Sequence, residues 1–563
     1  MKLELDEVRR LTGPNLLWDH PGAIVDVLFE GIAAEQVVVS WQQWIDKLLG
    51  EFGWHEQHTY RLYDGGASFA LSAPMDALYT ACELAELAWH CSVAELQAAM
   101  LPDWQTCLTE LKQTLKDEQN PQLDVLMAAA KAHNVTCISD DDDVSLGMGN
   151  SADVWPAREL PDPSAIDWDK YSDIPRAFIT GTNGKSTSVR LASVIAKAAG
   201  INAGVTSTDF IKVGDDIIDT GDYSGPGGAR MLLRDKRTEM AFLEVARGGI
   251  LRRGIPIESV DAALITNVAS DHLGQYGINT VEELAETKFV ISKGLDNSAT
   301  LVVNADNALV VKQAKRLNKN LCWYSTSEEN PLIQEQILKG NSAVFIKNST
   351  LYYHDKGTFH TVSTLSDIPM TMNGAAAHNV QNALGVVGLC MALKIPLEAI
   401  REGLKSFGSS AADNPGRGNI YKIKGATVIV DFAHNEHSMR AVVSTAKQLG
   451  GKHKIAMFSH AGDRSDKEIQ DLTQAVTELD ADTYIISEVE CYLRGRELGD
   501  IPAIVTAQLS QSGVAPDHIQ TVKTPLEGTK LAVNMLTAGD LVLLFVLTDR
   551  EQVHEYLETQ RER

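Results

Sequence analysis

The chain has 563 residues, 44% of them hydrophobic and 22% charged, which gives enough apolar material for about three or four globular domains. Its net charge of −25, from 50 basic and 75 acidic residues, excludes the basic footprint that general nucleic-acid binding needs. Seven cysteines without a CxxC pair, no uninterrupted apolar run of membrane-spanning length, and an amino terminus (MKLELDEVRRLTG) without an apolar stretch behind its charges predict a cytoplasmic protein with no membrane contact, disulfide framework or zinc site.

Residues 1–160 read as a mixed α+β domain, with helical spacing clearest over 76–100 and 108–115. The run of four aspartates at 140–143 predicts an exposed acidic turn. Residues 155–175, with prolines at 156, 161, 163 and 175, predict a linker. Residues 170–410 change character. A short apolar strand over 176–180 leads through a Gly-rich turn into a helix over 185–199, which Gly200 terminates. Further strands are expected over 203–208, 240–245, 262–268 and 301–304, most of them separated by helices. Such alternation predicts an α/β domain with a mostly parallel sheet covered on both faces. A second break falls at 409–418, with hinge candidates at 413–418. Residues 413–563 then read as a smaller Rossmann-like α/β domain, with strands over 427–432, 454–458, 483–487 and 541–547 and helices over 438–449, 467–479 and 501–511.

The most specific signal is Gly181-Thr182-Asn183-Gly184-Lys185-Ser186-Thr187, set between a strand and a helix. Backbone N–H groups of such a turn cradle phosphate oxygens, and the helix terminus adds about half a positive charge. Lys185 can reach the outer phosphates, and the Ser186 or Thr187 hydroxyl can ligate Mg²⁺. The full P-loop spacing would place Gly at 179, where Ile stands, so the loop is a shortened variant.

This loop resembles that of the Mur ligases and of folylpolyglutamate synthetase. The runs Glu244-Val-Ala-Arg-Gly-Gly-Ile-Leu-Arg-Arg-Gly254, Asn267-Val-Ala-Ser-Asp-His-Leu-Gly274 and Asn304-Ala-Asp306 are similar, within that family, to the Mur-ligase-like part of cyanophycin synthetase. The resemblance extends over about residues 170–550; Leu11-Thr-Gly-Pro-Asn15 is a short further match to the start of cyanophycin synthetase. The ATP-grasp domain of that enzyme has no counterpart here, so at most the Mur-like step is expected.

The resemblance implies an ATP-dependent amide-bond ligase that works through an acyl phosphate and adds an amino acid, with Arg one candidate, to an amino-acid or peptide carboxylate. It assigns Mg²⁺ binding to Ser186, Glu244 and His272, and to Lys288 a carbamoylated role beside the metal. Asn379 and Asn382 would face adenine. Asp431, in Asp431-Phe-Ala-His434, would contact ribose; Arg417, His434, Asp463 and Arg464 complete the expected nucleotide site. Loops 206–209 and 222–226 would line the acceptor groove. Arg494 and Arg496 read either as facing substrate or as a solvated turn. The amino-terminal domain would bind a peptide or polymer acceptor or serve dimerisation, and a homo-oligomer is expected. Two other readings share the loop: an ATPase or phosphotransferase without an amine requirement, and a non-catalytic ATP-binding scaffold. Lys185, Glu244, His272 and Asp431 standing intact argue against the scaffold.

Overall fold

In the computed structural model, which describes residues 1–408, 410 and 414–561, the chain forms sheets of four, eleven, six and three strands. Asp413 of the expected hinge, and Ser409, Ala411 and Ala412 of the expected break, lie outside the described residues.

The amino-terminal sheet runs Lys2–Leu11, Gly22–Glu30, Gly66–Ser72, His58–Tyr63, antiparallel throughout. Alternate burial along Lys2–Leu11 is the mark of a strand with one face on a core and one on solvent. Helices Ala34–Phe52 and Leu78–Leu96 cover the sheet. Trp41 stacks on Phe69 at 4.5 Å between ring centroids, both fully buried, and truncating either to Ala would cost about 3–5 kcal/mol.

Two expectations are corrected here. Residues 155–175 are not a loose linker: Trp155, Leu160, Ile166, Trp168 and Tyr171 pack against the helix Pro121–Ala132 and the strand Asp143–Leu146. Proline spacing marked the lack of periodicity, but aromatic side chains anchor the segment. The 140–143 run does turn, but not as a merely solvated loop. Asp140 accepts from Arg234 at 2.6 Å, and Asp141 accepts from Arg10 at 2.7 Å and Tyr79 at 2.8 Å. Two of the four carboxylates are therefore ion-paired.

The eleven-stranded sheet contains seven parallel strands, in the order Ala203–Thr206, Met240–Glu244, Arg176–Thr180, Val260–Ile265, Leu295–Asn304, Asn320–Ser325, Ala343–Lys347. Two antiparallel strands extend each end: Phe210–Val213 and Asp216–Thr220 on one side, Thr350–Asp355 and Thr358–Thr364 on the other. One apolar cluster on each face, one including the helices Lys185–Ala198 and Ala377–Ala392, buries the sheet on both sides. That explains why strands such as Ala177-Phe178-Ile179 are apolar without alternation. Chain order reverses at Arg176–Thr180, and in open α/β sheets ligands sit at the carboxyl ends of the strands flanking such a point. Here those ends are Thr180, Glu244 and Ile265.

The six-stranded sheet runs Arg417–Ile423, Ala426–Asp431, Leu541–Phe545, Lys454–Phe458, Thr483–Ser487, Ile519–Val522, parallel except for the first strand. Asp431 ends its strand and lines one cavity with Thr182 to Thr187 of the central domain. The α/β class, the mostly parallel central sheet and the second α/β unit are as the sequence predicted.

Candidate functional site

The strand Arg176–Thr180 delivers the chain into the loop 181–184. Gly181 has φ +150° and Gly184 φ +88°, and a Cβ at either would collide with Thr266 or Asn382. These glycines are required by both backbone conformation and space. Thr182 N–H donates to Asn267 O at 2.8 Å, Asn183 N–H to Asn267 Oδ1 at 3.0 Å, and Thr266 Oγ1 to Asn183 O at 2.6 Å. Asn304 Nδ2 and Tyr324 Oη both donate to Thr266 O, at 2.9 and 2.8 Å. The Asn304 motif thus braces the strand end that holds the loop.

A cavity of about 800 Å³ opens above this loop, lined by residues of both the central and the carboxy-terminal sheets. It collects Thr182 to Thr187, Glu244, His272, Lys288, Asn379, Asn382, Arg417, Asp431 and His434 from the expected site. Asp463 and Arg464 are not among its lining residues. Asp463 pairs with Arg494, whose neighbour Arg496 donates to Gly462 O at 3.0 Å and Arg464 O at 2.7 Å. Arg494 and Arg496 therefore brace the loop 462–464, which is neither of the two expected readings. Arg464 reaches toward Asp271, at 3.9 Å.

Glu244 is 1% exposed, and neither carboxylate oxygen has a hydrogen-bond partner. Burial pushes its carboxyl up, against the pull of the Lys185 ammonium. An unsatisfied buried carboxylate costs several kcal/mol unless a cation reaches it. Ser186, at the start of the helix and beside Thr208 (Oγ···Oγ1 3.2 Å), supplies a neighbouring hydroxyl. This donor set of hard oxygens fits Mg²⁺. A second set, Asp271, His272 and His434, brings one ligand atom from each residue to within 4.8 Å of the others, so the three could hold one cation. His272 sits at φ +50°, a strained conformation for a non-glycine residue of the kind that gathers at functional sites. His434 Nδ1 is 3.1 Å from Phe432 O, and burial lowers its pKa to about 4, leaving a neutral imidazole.

Lys288 is buried, and its Nζ donates to Gly181 O at 2.9 Å. Burial, and then the Lys185 charge, drive its pKa well below the ordinary value. Asn379 and Asn382 are buried on the helix Ala377–Ala392; Asn379 donates to Met370 O at 3.0 Å and Asn382 donates to Asn379 Oδ1 at 3.2 Å. Asp431 accepts from Ala433 N–H at 2.7 Å, and burial raises its pKa to about 6 despite the nearby Arg417 charge.

Several contacts at the site join residues that the sequence did not connect. Phe432 lies under two guanidinium groups, Arg550 at 3.6 Å and Arg417 at 4.9 Å from its ring centroid. Arg550 also lies 3.5 Å from Asp209, which accepts from Arg190 at 2.7 Å. Asp271 stood inside a quoted motif, but only its position beside His272 and His434 distinguishes it. His378 is a half-buried cavity histidine whose buried Nδ1 has no hydrogen-bond partner among the described residues.

Residues 179–390 match the Mur ligase middle domain and residues 416–545 the Mur ligase, glutamate ligase domain. The chain is 32% identical over 372 residues to cyanophycin synthetase of Trichormus variabilis, a match covering 66% of this chain and 41% of that one. It is 34% identical over 378 residues to cyanophycin synthetase of Geminocystis herdmanii, covering 66% and 42%. The chain thus spans about two fifths of the length of the curated relatives it matches. Among solved structures, E. coli FolC in complex with DHPP and ADP shares the fold, with a TM-score of 0.52 at 18% identity over 69% of this chain and 89% of that one. None of the seven cysteines is in a disulfide, and among the described residues no helix is long and apolar enough to cross a membrane.

Proposed function

The chain belongs to the Mur ligase family, and from that premise we propose that it is an ATP-dependent carboxylate–amine ligase. The observation that carries this reading is Glu244: a buried carboxylate with both oxygens unpartnered, facing a cavity shared with Lys185, Ser186 and His272. A module that bound nucleotide only as a scaffold would gain nothing from that cost.

In this reading the loop 181–187 and Lys185 hold the phosphates of ATP, with Arg417 and Arg464 supporting them and Asp463 shaping the loop beside Arg464. Asn379 and Asn382 lie along the adenine, and Asp431 and His434 along the ribose. Ser186 with Glu244, and His272 with its neighbours, hold one or two Mg²⁺ ions, which when bound neutralise phosphate charge. An acceptor carboxylate oxygen attacks the γ-phosphorus, ADP departs, and an acyl phosphate results. The amine of the second substrate then attacks the acyl carbon and phosphate leaves. Lys185 stabilises charge on the transferring group. The loops of the carboxy-terminal domain exclude water from the acyl phosphate.

Lys288 is the candidate for carbamoylation, in which its neutral amine adds CO₂ and releases a proton; burial and the Lys185 charge favour that neutral, nucleophilic amine. Retention of label from isotope-labelled bicarbonate on Lys288, read by NMR, tests it. The proposed domains are 1–160, 170–410 and 413–563, the first holding an acceptor or a second subunit, with a homo-oligomer as the assembly. Arginine is the proposed amine donor, added to an amino-acid, peptide or polymer carboxylate, in the cytoplasm where ATP and reduced thiols are found.

The test is phosphate release from Mg-ATP with each amino acid as amine donor, with and without aspartate-containing peptides, products being read by mass spectrometry. Release that needs both acceptor and amine, with one amide-linked residue added, is expected. Release indifferent to amine would replace the ligase with an ATPase or phosphotransferase; tight ATP binding without turnover would favour a scaffold.

A further inference from the structure

Four of the six residues 272–277 stand in the left-handed region: His272 at φ +50°, Gly274 at +86°, Tyr276 at +56° and Gly277 at +65°. Two of the four carry side chains, and such a loop keeps its shape only where its surroundings over-determine it. One side of it is fixed from the helix Arg247–Arg253. Arg247 donates from Nη1 to His272 O at 2.7 Å and from Nη2 to Gln275 Oε1 at 2.6 Å, and Arg252 Nε donates to Tyr276 Oη at 2.6 Å.

The other side is fixed from a different unit, the amino-terminal sheet. Arg61 Nη2 donates to Gly277 O at 2.5 Å and to Glu283 Oε1 at 3.2 Å. The Tyr63 ring lies so close to Gly277 that a Cβ there would strike it, and the Tyr63 hydroxyl is itself anchored 3.2 Å from both Val27 O and Ala67 O. Arg9 lies over the Tyr276 ring, 4.7 Å from its centroid, and is locked by Asp26, which also accepts from Ser68 at 2.6 Å.

Glu283 extends this brace. Its Oε2 accepts from Asn279 N–H at 2.8 Å and Thr280 N–H at 2.9 Å, and it stands in the first turn of the helix Val281–Phe289, which carries Lys288. Arg61 therefore bears at once on the loop that presents His272 and on the helix that presents Lys288. It does not line the large cavity, so it can act on a ligand there only through those groups. Residues that orient a metal's ligands without touching the metal change its affinity by about 10–100-fold.

We propose that Arg61 is a positioning residue for the cation held at His272, so that the amino-terminal sheet completes the metal site of the central one. The assignment rests on the ligase reading's placing of a metal at His272, but its test does not need turnover. The probes are Mn²⁺, which takes the octahedral oxygen-rich sites that Mg²⁺ takes, and ADP, both added to the full chain. Free Mn²⁺ is read by its EPR signal, and imidazole ligation of bound Mn²⁺ by the nitrogen modulation of its electron spin echo. Arg61→Ala is expected to weaken Mn²⁺ binding by about 10–100-fold and to lower the nitrogen modulation to the level of His272→Ala. Both contacts of Arg61 come from one nitrogen, so Arg61→Lys should restore most of the affinity. In the His272→Ala background Arg61→Ala should cost nothing further, whereas a general loosening of the fold would cost the same in both. Gly277→Ala drives the loop off Tyr63 and leaves the amino-terminal sheet intact. It should reproduce the loss, and it decides the matter if Arg61→Ala fails to fold. Parent affinity and modulation retained in either variant, or a loss that recurs in full in the His272→Ala background, would overturn the proposal. If Mn²⁺ binding depends on Arg61 as expected but no acceptor gives amine-dependent phosphate release, the ligase reading fails and the positioning role stands. Amine-dependent release with Mn²⁺ binding indifferent to Arg61 does the reverse.

Discussion

Asn183 and Asn435 exchange side-chain amide hydrogen bonds across the two α/β domains: Asn183 Nδ2 donates to Asn435 Oδ1 at 3.2 Å, and Asn435 Nδ2 donates back to Asn183 Oδ1 at 2.9 Å. Asn435 also caps the helix Glu436–Leu449 by accepting from Ser438 N–H at 3.0 Å. Asn435→Asp keeps the cap, which a carboxylate fills equally well, but removes the returned donor and places an anion beside the phosphate loop. The expected result is an unchanged melting temperature with kcat/KM for ATP down about tenfold, the scale of one hydrogen bond of roughly 1.5 kcal/mol.

Glu244→Gln removes a buried carboxylate whose desolvation the nearby Lys185 and Arg417 charges only partly offset. The variant should melt no lower than the parent without ligands, and should lose the rise in melting temperature that Mg-ADP gives the parent. Thermal melts with and without Mg-ADP check both. A variant still stabilised fully by Mg-ADP would remove Glu244 from the metal site.

Asp431 gives a signed pH prediction. Its carboxyl titrates near 3.8 when unperturbed and at about 6 in the folded protein, chiefly through burial. Between those values the folded state holds a proton that the unfolded state releases. The contribution to stability is therefore present below pH 3.8 and lost as pH rises through 6. Asp431→Asn cannot ionise, so it should exceed the parent in stability at pH 7 by up to about 3 kcal/mol and match it near pH 3.8. Urea unfolding at the two pH values reads this; a variant less stable at pH 7 would show that Arg417 outweighs burial.

Lys185→Ala should lower amine-dependent phosphate release by about 10²–10³-fold, the usual cost of one charge-stabilising donor in a transition state. The fold should survive, because Lys185 makes only a local bond to Thr182 O at 3.1 Å. Turnover equal to the parent's would sink the proposed mechanism.

Arg550→Ala should weaken closure of the carboxy-terminal domain, since it breaks the contact with Asp209 and uncovers Phe432. Small-angle scattering should show a larger radius of gyration in the presence of ADP, with kcat reduced several-fold. No change in either would make the Asp209–Arg550 pair incidental.

The phosphate loop and the strands flanking it were legible because their chemistry is local: glycines at fixed spacing, one lysine, an apolar strand before and a helix after. Glu244, His272 and Lys288 were legible only through motif resemblance, since nothing in a lone carboxylate or histidine announces burial. The pairing of Arg550 with Asp209 was not legible, although Asp209 stands in the loop 206–209 that the sequence singled out: the two are 341 positions apart and joined only by packing of separate domains. The segment 155–175 misled because prolines advertise a missing periodicity, whereas Trp155 and Trp168 act through tertiary contacts that no periodicity encodes.

The contacts between the central and carboxy-terminal units include amides, imidazoles, carboxylates and guanidinium groups, and among the described residues none of the buried apolar clusters spans both. Parting the two therefore wets little hydrocarbon, so the step carries only a small heat-capacity change. Its equilibrium should be nearly flat with temperature yet steep with ionic strength, because added salt competes for the charged contacts along the seam. If release of product waits on that parting, potassium chloride should speed turnover over a range where warming by a few degrees does little.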